Sequence, residues 1–240
     1  HTVMVNGWNP YTTQFLDMDF GNSNFDCVFD SDNNELDGVS EYWVKGADNA
    51  TFDFTGGITS EIPAVTTDVW VNPIEGTDEG NILGDQNNPF LTIDYAMSMI
   101  YPTEDNPITI HLIAETFAPS INGEEFPIVM ISHVNLIGEG EEVTIIDAEQ
   151  TGRVITMDAC NNNIISYLTL TGGLAEGEYP NYYGGGMYLS YSNPTLTYVT
   201  ISNNTAEYYI GGGGVIGNGG GMWLDLFSDA TFTNVTISNN

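Results

Sequence analysis

The chain has 240 residues, with 33 Asp and Glu against 2 Lys and Arg, a formal net charge of −31 at pH 7. Lys45 and Arg153 cannot form a basic face, which excludes a nucleic-acid partner and adsorption to an anionic membrane. Apolar residues make up 41% of the chain, enough for a core, so the acidity does not signal disorder.

The chain opens at His1 without a Met and reads as a processed or trimmed product. Residues 1–66 carry short apolar runs between Gly, Asn and Asp turns: Val3-Met4-Val5, Phe15 to Phe20, Tyr42-Trp43-Val44 and Phe52-Asp53-Phe54. They predict a small β-rich region, with Thr59 to Ala64 as the linker. Within it, Asp30, Asp32, Asn34, Asp37 and Glu41 place oxygen ligands at alternate positions and a Glu at the twelfth, as a Ca2+ loop does. Glu35 stands where such a loop has glycine, and no flanking helices are evident, so an exposed acidic turn is the alternative. A copper site on His1, with His111 or His133 as second ligand, is the weaker metal reading: both histidines sit in or beside ordinary strands.

From Asp68 the pattern changes. Val69-Trp70-Val71 is a strand, and a Gly/Asp loop leads to Asn88-Pro89-Phe90. Ile93, Ala96, Met97 and Ile100 then have the spacing of a short amphipathic helix. Ile108 to Ile113 is the next strand, and Phe126 to Met130 begins another coil.

The last third repeats itself. Gly184-Gly185-Gly186-Met187-Tyr188-Leu189 recurs as Gly219-Gly220-Gly221-Met222-Trp223-Leu224, and each copy leads to a tail, Leu196 to Asn204 and Phe232 to Asn240, ending Ile-Ser-Asn-Asn. Weaker copies precede them at Ile165 to Gly173 and Val134 to Gly138. The tails alternate with period two and are rich in Val, Ile and Thr, as short strands with one buried face are. A single such strand cannot bury its face, whereas strands stacked repeat upon repeat can. Stacking also predicts an asparagine ladder at the turn, with the glycines as positive-φ corners. This is an all-β parallel solenoid over 67–240, preceded by the β-rich region of 1–66. A propeller is disfavoured for want of hairpin signals. The pattern stops at Asn240 in mid-repeat, so the chain reads as part of something longer.

These residues resemble secreted right-handed parallel β-helix proteins of the pectate-lyase-like superfamily. Val69 to Ala96 is similar to their opening segment, and the Gly-Gly-Gly-Met and Ile-Ser-Asn-Asn repeats are similar to large surface-exposed β-helix proteins and polymorphic outer-membrane adhesins. The resemblance implies a secreted or cell-surface location; the helix cap over the first coil is expected independently, because a solenoid needs that end covered. It is weak for function, because folds host many activities.

Lyases of this fold resembling pectate lyase use Arg or Lys. Only Arg153 is available in the solenoid, and Asp147 and Asp158 read as isolated carboxylates in solvated turns, so no catalytic residue is assigned. The stronger feature is a pair of aromatic loops, each between a strand tail and the next glycine cluster: Tyr179, Tyr182 and Tyr183, then Glu207, Tyr208 and Tyr209. Successive coils would bring them together as a platform for neutral glycans or other surface proteins, or as loops that shield each other. The sequence favours a calcium-stabilised structural or adhesive module, able to associate end to end into fibres. The alternative is a carbohydrate-active enzyme, lyase or hydrolase, with catalytic residues outside these 240.

Overall fold

The computed structural model describes residues 65–177, 181–210, 214–216, 218–225 and 227–240. The expected N-terminal β-rich region, its five candidate calcium ligands and Tyr179 lie outside these residues. In chain order the elements are β1 (Val69–Val71), α1 (Ile93–Met99), β2 (Ile108–Leu112), β3 (Thr116–Phe117), α2 (Pro119–Asn122), β4 (Ile128–Val129), β5 (Val134–Ile137), β6 (Ile145–Asp147), β7 (Ile155–Asp158), β8 (Ile164–Thr171), β9 (Leu174–Glu176), β10 (Met187–Ser190), β11 (Thr195–Ser202), β12 (Thr205–Ile210), β13 (Gly214–Ile216), β14 (Met222–Asp225) and β15 (Thr231–Ser238).

One sheet runs β1-β2-β5-β8-β11-β15, with β3 and β6 extending it, and a second runs β4-β7-β10-β14. Every pairing in both is parallel, and neighbouring strands belong to successive coils. The architecture is the expected all-β parallel solenoid. Its registers line inward side chains into columns. One reads Val69, Ile110, Leu136, Ile165, Leu196, Phe232. Another reads Phe117, Ile146, Leu170, Ile201, Ile237. A third, Ile128, Ile155, Met187, Met222, comes from the second sheet. All of these are buried except in the last coil. Each buried Ile, Leu or Val side chain contributes about 1.5–3 kcal/mol through removal of apolar surface from water. Both weak repeat copies thus take their predicted places.

Two sequence expectations need correction. The tails do not alternate strictly: Leu196 and Val199 both point inward, and Tyr198 between them turns a corner at φ 53. Tyr167 and Asn234 occupy the same corner one coil before and after, at φ 57 and 51. This left-handed residue divides one continuous strand between two faces of the coil. The glycine triplets also serve mainly another purpose. Only Gly184 and Gly219 have positive φ (63 and 64). A Cβ on Gly185 would run into the carbonyl oxygens of Thr205 and Gly220, and one on Gly186 into that of Gly221. The triplets let backbones of adjacent coils approach closely.

The asparagine ladder is present. Asn204 is buried, and its Nδ2 donates to Asn240 Oδ1 (3.0 Å), to Leu170 O (3.2 Å) and to Ser202 O (3.1 Å). Its Oδ1 accepts from Gly173 N (2.8 Å), and Asn240 Oδ1 accepts from Asn204 N (2.9 Å). The Asn204 amide is thus satisfied by the coils on both sides of it.

Coil length grows along the chain while the register holds. The separation is 27 residues from Ile128 to Ile155, 32 from Ile155 to Met187 and 35 from Met187 to Met222. The added residues fall after the strand tails, where β9, β12 and β13 form a small side sheet; β12 pairs with β9 in parallel and with β13 antiparallel.

The first coil is closed. Helix α1 has Ile93, Ala96, Met97 and Met99 buried and packs on β1 and β4. Thr92 Oγ1 accepts from Tyr95 N (3.1 Å), and the buried Glu124 carboxylate accepts from Ile93 N (2.8 Å) and Asp94 N (2.9 Å). The outer edge of β1 is covered by backbone bonds: Trp70 N to Gly84 O (2.7 Å), Phe90 N to Trp70 O (2.9 Å) and Asn72 N to Phe90 O (2.9 Å). Asn81 Nδ2 fastens that loop to the carbonyls of Thr77, Asn88 and Pro89.

Candidate functional site

Residues 181–186 ahead of β10, those on β12, and the outer face of β14 converge on one flank of the solenoid. Glycine triplets set the entry to β10 and β14, so Tyr188 and Trp223 stand side by side in register, facing outward. Next to them the Tyr183 ring stacks on Trp223, with centroids 4.3 Å apart and planes 9° off parallel. Tyr182 leans on Tyr183 (4.3 Å) and on Tyr208 (4.7 Å), and the Tyr182 and Tyr183 hydroxyls share a hydrogen bond of 3.1 Å. The aromatic loops are thereby joined, and Tyr182, Tyr183, Tyr208 and Trp223 are all half-buried. Tyr209 follows Tyr208 on β12, opposite Val215. Glu207 pairs in register with Glu176, which places two carboxylates side by side at the rim.

Arg153 organises this flank from beneath. Its Nε donates to Tyr183 O (3.0 Å) and Gly184 O (2.9 Å), its Nη2 to Tyr183 O (2.7 Å) and Asn181 O (3.3 Å), and its Nη1 to Thr156 Oγ1 (3.1 Å). The guanidinium lies over the Tyr188 ring at 4.8 Å. Burial lowers its pKa and Tyr188 acts against that shift. Among the described residues no carboxylate is within ion-pair distance of Arg153; backbone carbonyls and a ring face hold the charge. Its geometry is that of a clamp on the aromatic loop. Tyr188 in turn donates its hydroxyl hydrogen to Asp225 Oδ2 (3.1 Å). The Trp223 Nε1 is shielded from solvent and has no partner.

Sequence reasoning missed Trp223 and Arg153 as parts of this flank. Trp223 was visible as the aromatic variant of Tyr188 in the repeat. Arg153 had little local signal, since apart from Thr156 the groups it holds lie about thirty residues on. Asp158, expected in a solvated turn, ends strand β7 and lines up with Ser190 and Asp225. Asp147 ends β6 and accepts from Glu149 N (2.9 Å).

The remaining chemistry-bearing groups have structural partners. His111 stacks on Trp70 (4.7 Å) and sits 3.7 Å from Asp68, while His133 contacts Asn162 (3.3 Å). Cys160 is buried with its thiol on Met130 O (3.1 Å), and burial pushes its pKa up to about 11, which makes it a poor nucleophile. Among the described residues no three His, Cys, Asp or Glu converge on a possible metal position.

What the flank offers is a set of ring edges and faces with hydroxyls and carboxylates at the margin and no exposed cation. No curated protein and no solved structure matches the chain. A family described as "Protein of unknown function (DUF1565)" matches residues 74–239, and the chain belongs to that family.

Proposed function

We propose that this is a secreted or cell-surface display module of the pectate-lyase-like superfamily, which binds neutral glycans through the flank of Tyr182, Tyr183, Tyr208 and Trp223. The observation that carries the reading is the ring contact between Tyr182 and Tyr208, which joins two loops from different coils into one aromatic surface. Aromatic rings give apolar contact to sugar C–H faces, and the Tyr hydroxyls, Glu207 and Asp225 supply polar partners. A net charge of −31 disfavours uronates and sulfated chains and favours uncharged ones. On the sequence evidence of Asp30, Asp32, Asn34, Asp37 and Glu41, calcium braces the N-terminal region and relieves part of its acidity.

The test is affinity electrophoresis and tryptophan fluorescence against a panel of neutral and uronic polysaccharides. Binding of a neutral member, lost in Tyr182→Ser with Tyr208→Ser, is the expected result. Failure to bind any neutral member, or binding unchanged in that variant, overturns it. New reducing ends or unsaturated products would replace it with the carbohydrate-active enzyme. Stoichiometric calcium in the purified protein, with a melting temperature that falls after chelation, is expected for the brace; no metal would remove it.

A further inference from the structure

The aromatic flank continues beyond the rings that meet at Tyr182. Strand β10 leaves the flank at Tyr188 and ends at Ser190, and Tyr191 follows at a left-handed corner with φ 48. The same corner one coil earlier is Ala159, φ 52. A tyrosine is strained in a conformation where Asn or Gly is at ease, and at 48% exposure this one recovers little of that cost by burial. Its ring leans on Phe227, with centroids 5.7 Å apart. A strained, half-exposed ring is better accounted for by a ligand than by packing.

The ground between Tyr188 and Tyr191 is polar. Asp158, Ser190 and Asp225 stand in register on β7, β10 and β14, and Asp225 holds the Tyr188 hydroxyl (3.1 Å). Two carboxylates thus flank a small serine across three coils, as acceptors for hydroxyl groups. Three residues of strand take Tyr188 to Tyr191, roughly 10 Å. Tyr182, Tyr183, Tyr188 and Tyr191 lie in one turn of the solenoid, so the row runs along the strands and across the solenoid axis. The order rings, carboxylates, ring along a straight line fits a straight chain of sugars that offers C–H faces and hydroxyls in turn. A chain that curls would meet only one end of it, and the carboxylates turn uronates and sulfates away. We infer that the flank takes an extended, β-1,4-linked neutral polysaccharide laid along β10, with successive units on Tyr182 and Tyr183, on Asp158 and Asp225, and on Tyr191. This deepens the glycan reading of the flank and rests on it.

The test is titration calorimetry of the 240-residue chain with cello-, manno-, xylo- and malto-oligosaccharides of graded length. In a β-1,4-linked series, affinity should rise by about tenfold or more from two units to six as the far ring is reached. Tyr191→Asn, which places at this corner the residue type found at the Asn234 corner, should abolish that rise and leave the affinity for two units unchanged. Asp158→Asn, on the neighbouring coil, should also weaken long chains alone, which keeps the test decisive if Tyr191→Asn misfolds. Tyr182→Ser with Tyr208→Ser should weaken every length. Affinity independent of length, a rise that survives both Tyr191→Asn and Asp158→Asn, or preference for the α-linked malto series overturns the extended track and leaves the glycan reading standing. Binding of no series overturns both.

Discussion

At one end of the solenoid the inward columns finish beneath α1 and a loop held by Asn81; at the other, Phe232 and Ile237 stand in the last of the described coils, covered on one side only by described residues. The residues are alike in kind. Leu196 and Phe232 share a register position, as do Ile201 and Ile237, yet the first of each pair is fully buried and the second is about half exposed. In a stacked fold the contribution of an apolar side chain depends on the number of coils around it and only weakly on its own strand.

Truncating both members of a pair should separate them most clearly. Ile201→Ala, flanked by coils on both sides, should cost about 2–5 kcal/mol of unfolding free energy. Ile237→Ala should cost under about 1.5 kcal/mol, since half its surface already faces water. Equal losses in urea denaturation would show that the ends are not different in the way described.

The closed end has its own weak point. Burial raises the Glu124 pKa from 4.5 to about 7, with the Ile93 and Asp94 amides and Asn122 pulling the other way. The folded state therefore holds a proton between pH 4.5 and 7 that the unfolded chain has released. Stability contributed by this group is greatest below pH 4.5 and falls as pH rises through 7, by at most ~3 kcal/mol. Asp94 is shifted the same way, by burial first and by Glu125 and Asp78 after it. Melting temperature should drop from pH 5 to pH 8, and Glu124→Gln should flatten part of that slope. An unchanged slope would remove Glu124 from the account.

Asn204→Ala strips the ladder of four side-chain bonds in a buried corner and should cost roughly 1–3 kcal/mol. Asn240→Ala, in the exposed last coil, should cost less in the same thermal melts. The smallest effect is expected at Gly80, whose φ is 72 with open space around it: Gly80→Ala should cost about 1 kcal/mol from backbone strain alone. Gly185→Ala, which meets two carbonyls, should be several times worse.

Much of this architecture could be read from residue order. Two tails ending Ile-Ser-Asn-Asn, and a triplet of glycines before each Met, can be satisfied together only if coils stack, and the structure pairs them residue for residue. The Tyr198 corner was hidden because left-handed φ at a tyrosine leaves no compositional trace, and of its three copies only Asn234 carries a residue type that favours such a corner. Glu124 was hidden for a different reason. It caps a helix thirty-one residues before it, and capping signals are legible only when local. At the candidate site the tyrosines were visible, but their clamp, Arg153, read as an isolated cation because its partners are carbonyls. Its contacts depend on how the aromatic loop folds back, which no spacing encodes.

The growth of the coil from 27 to 35 residues at constant register has a practical meaning. The three inward columns act as a ruler that ignores what happens between one strand tail and the next glycine triplet. Loops at that position can lengthen, shorten or change composition without a shift in a single core contact. The fold thereby separates the part of the gene that must stay constant from the part free to diversify. The same property makes the segment between β9 and β10 a place to graft foreign recognition loops onto an otherwise unaltered rod.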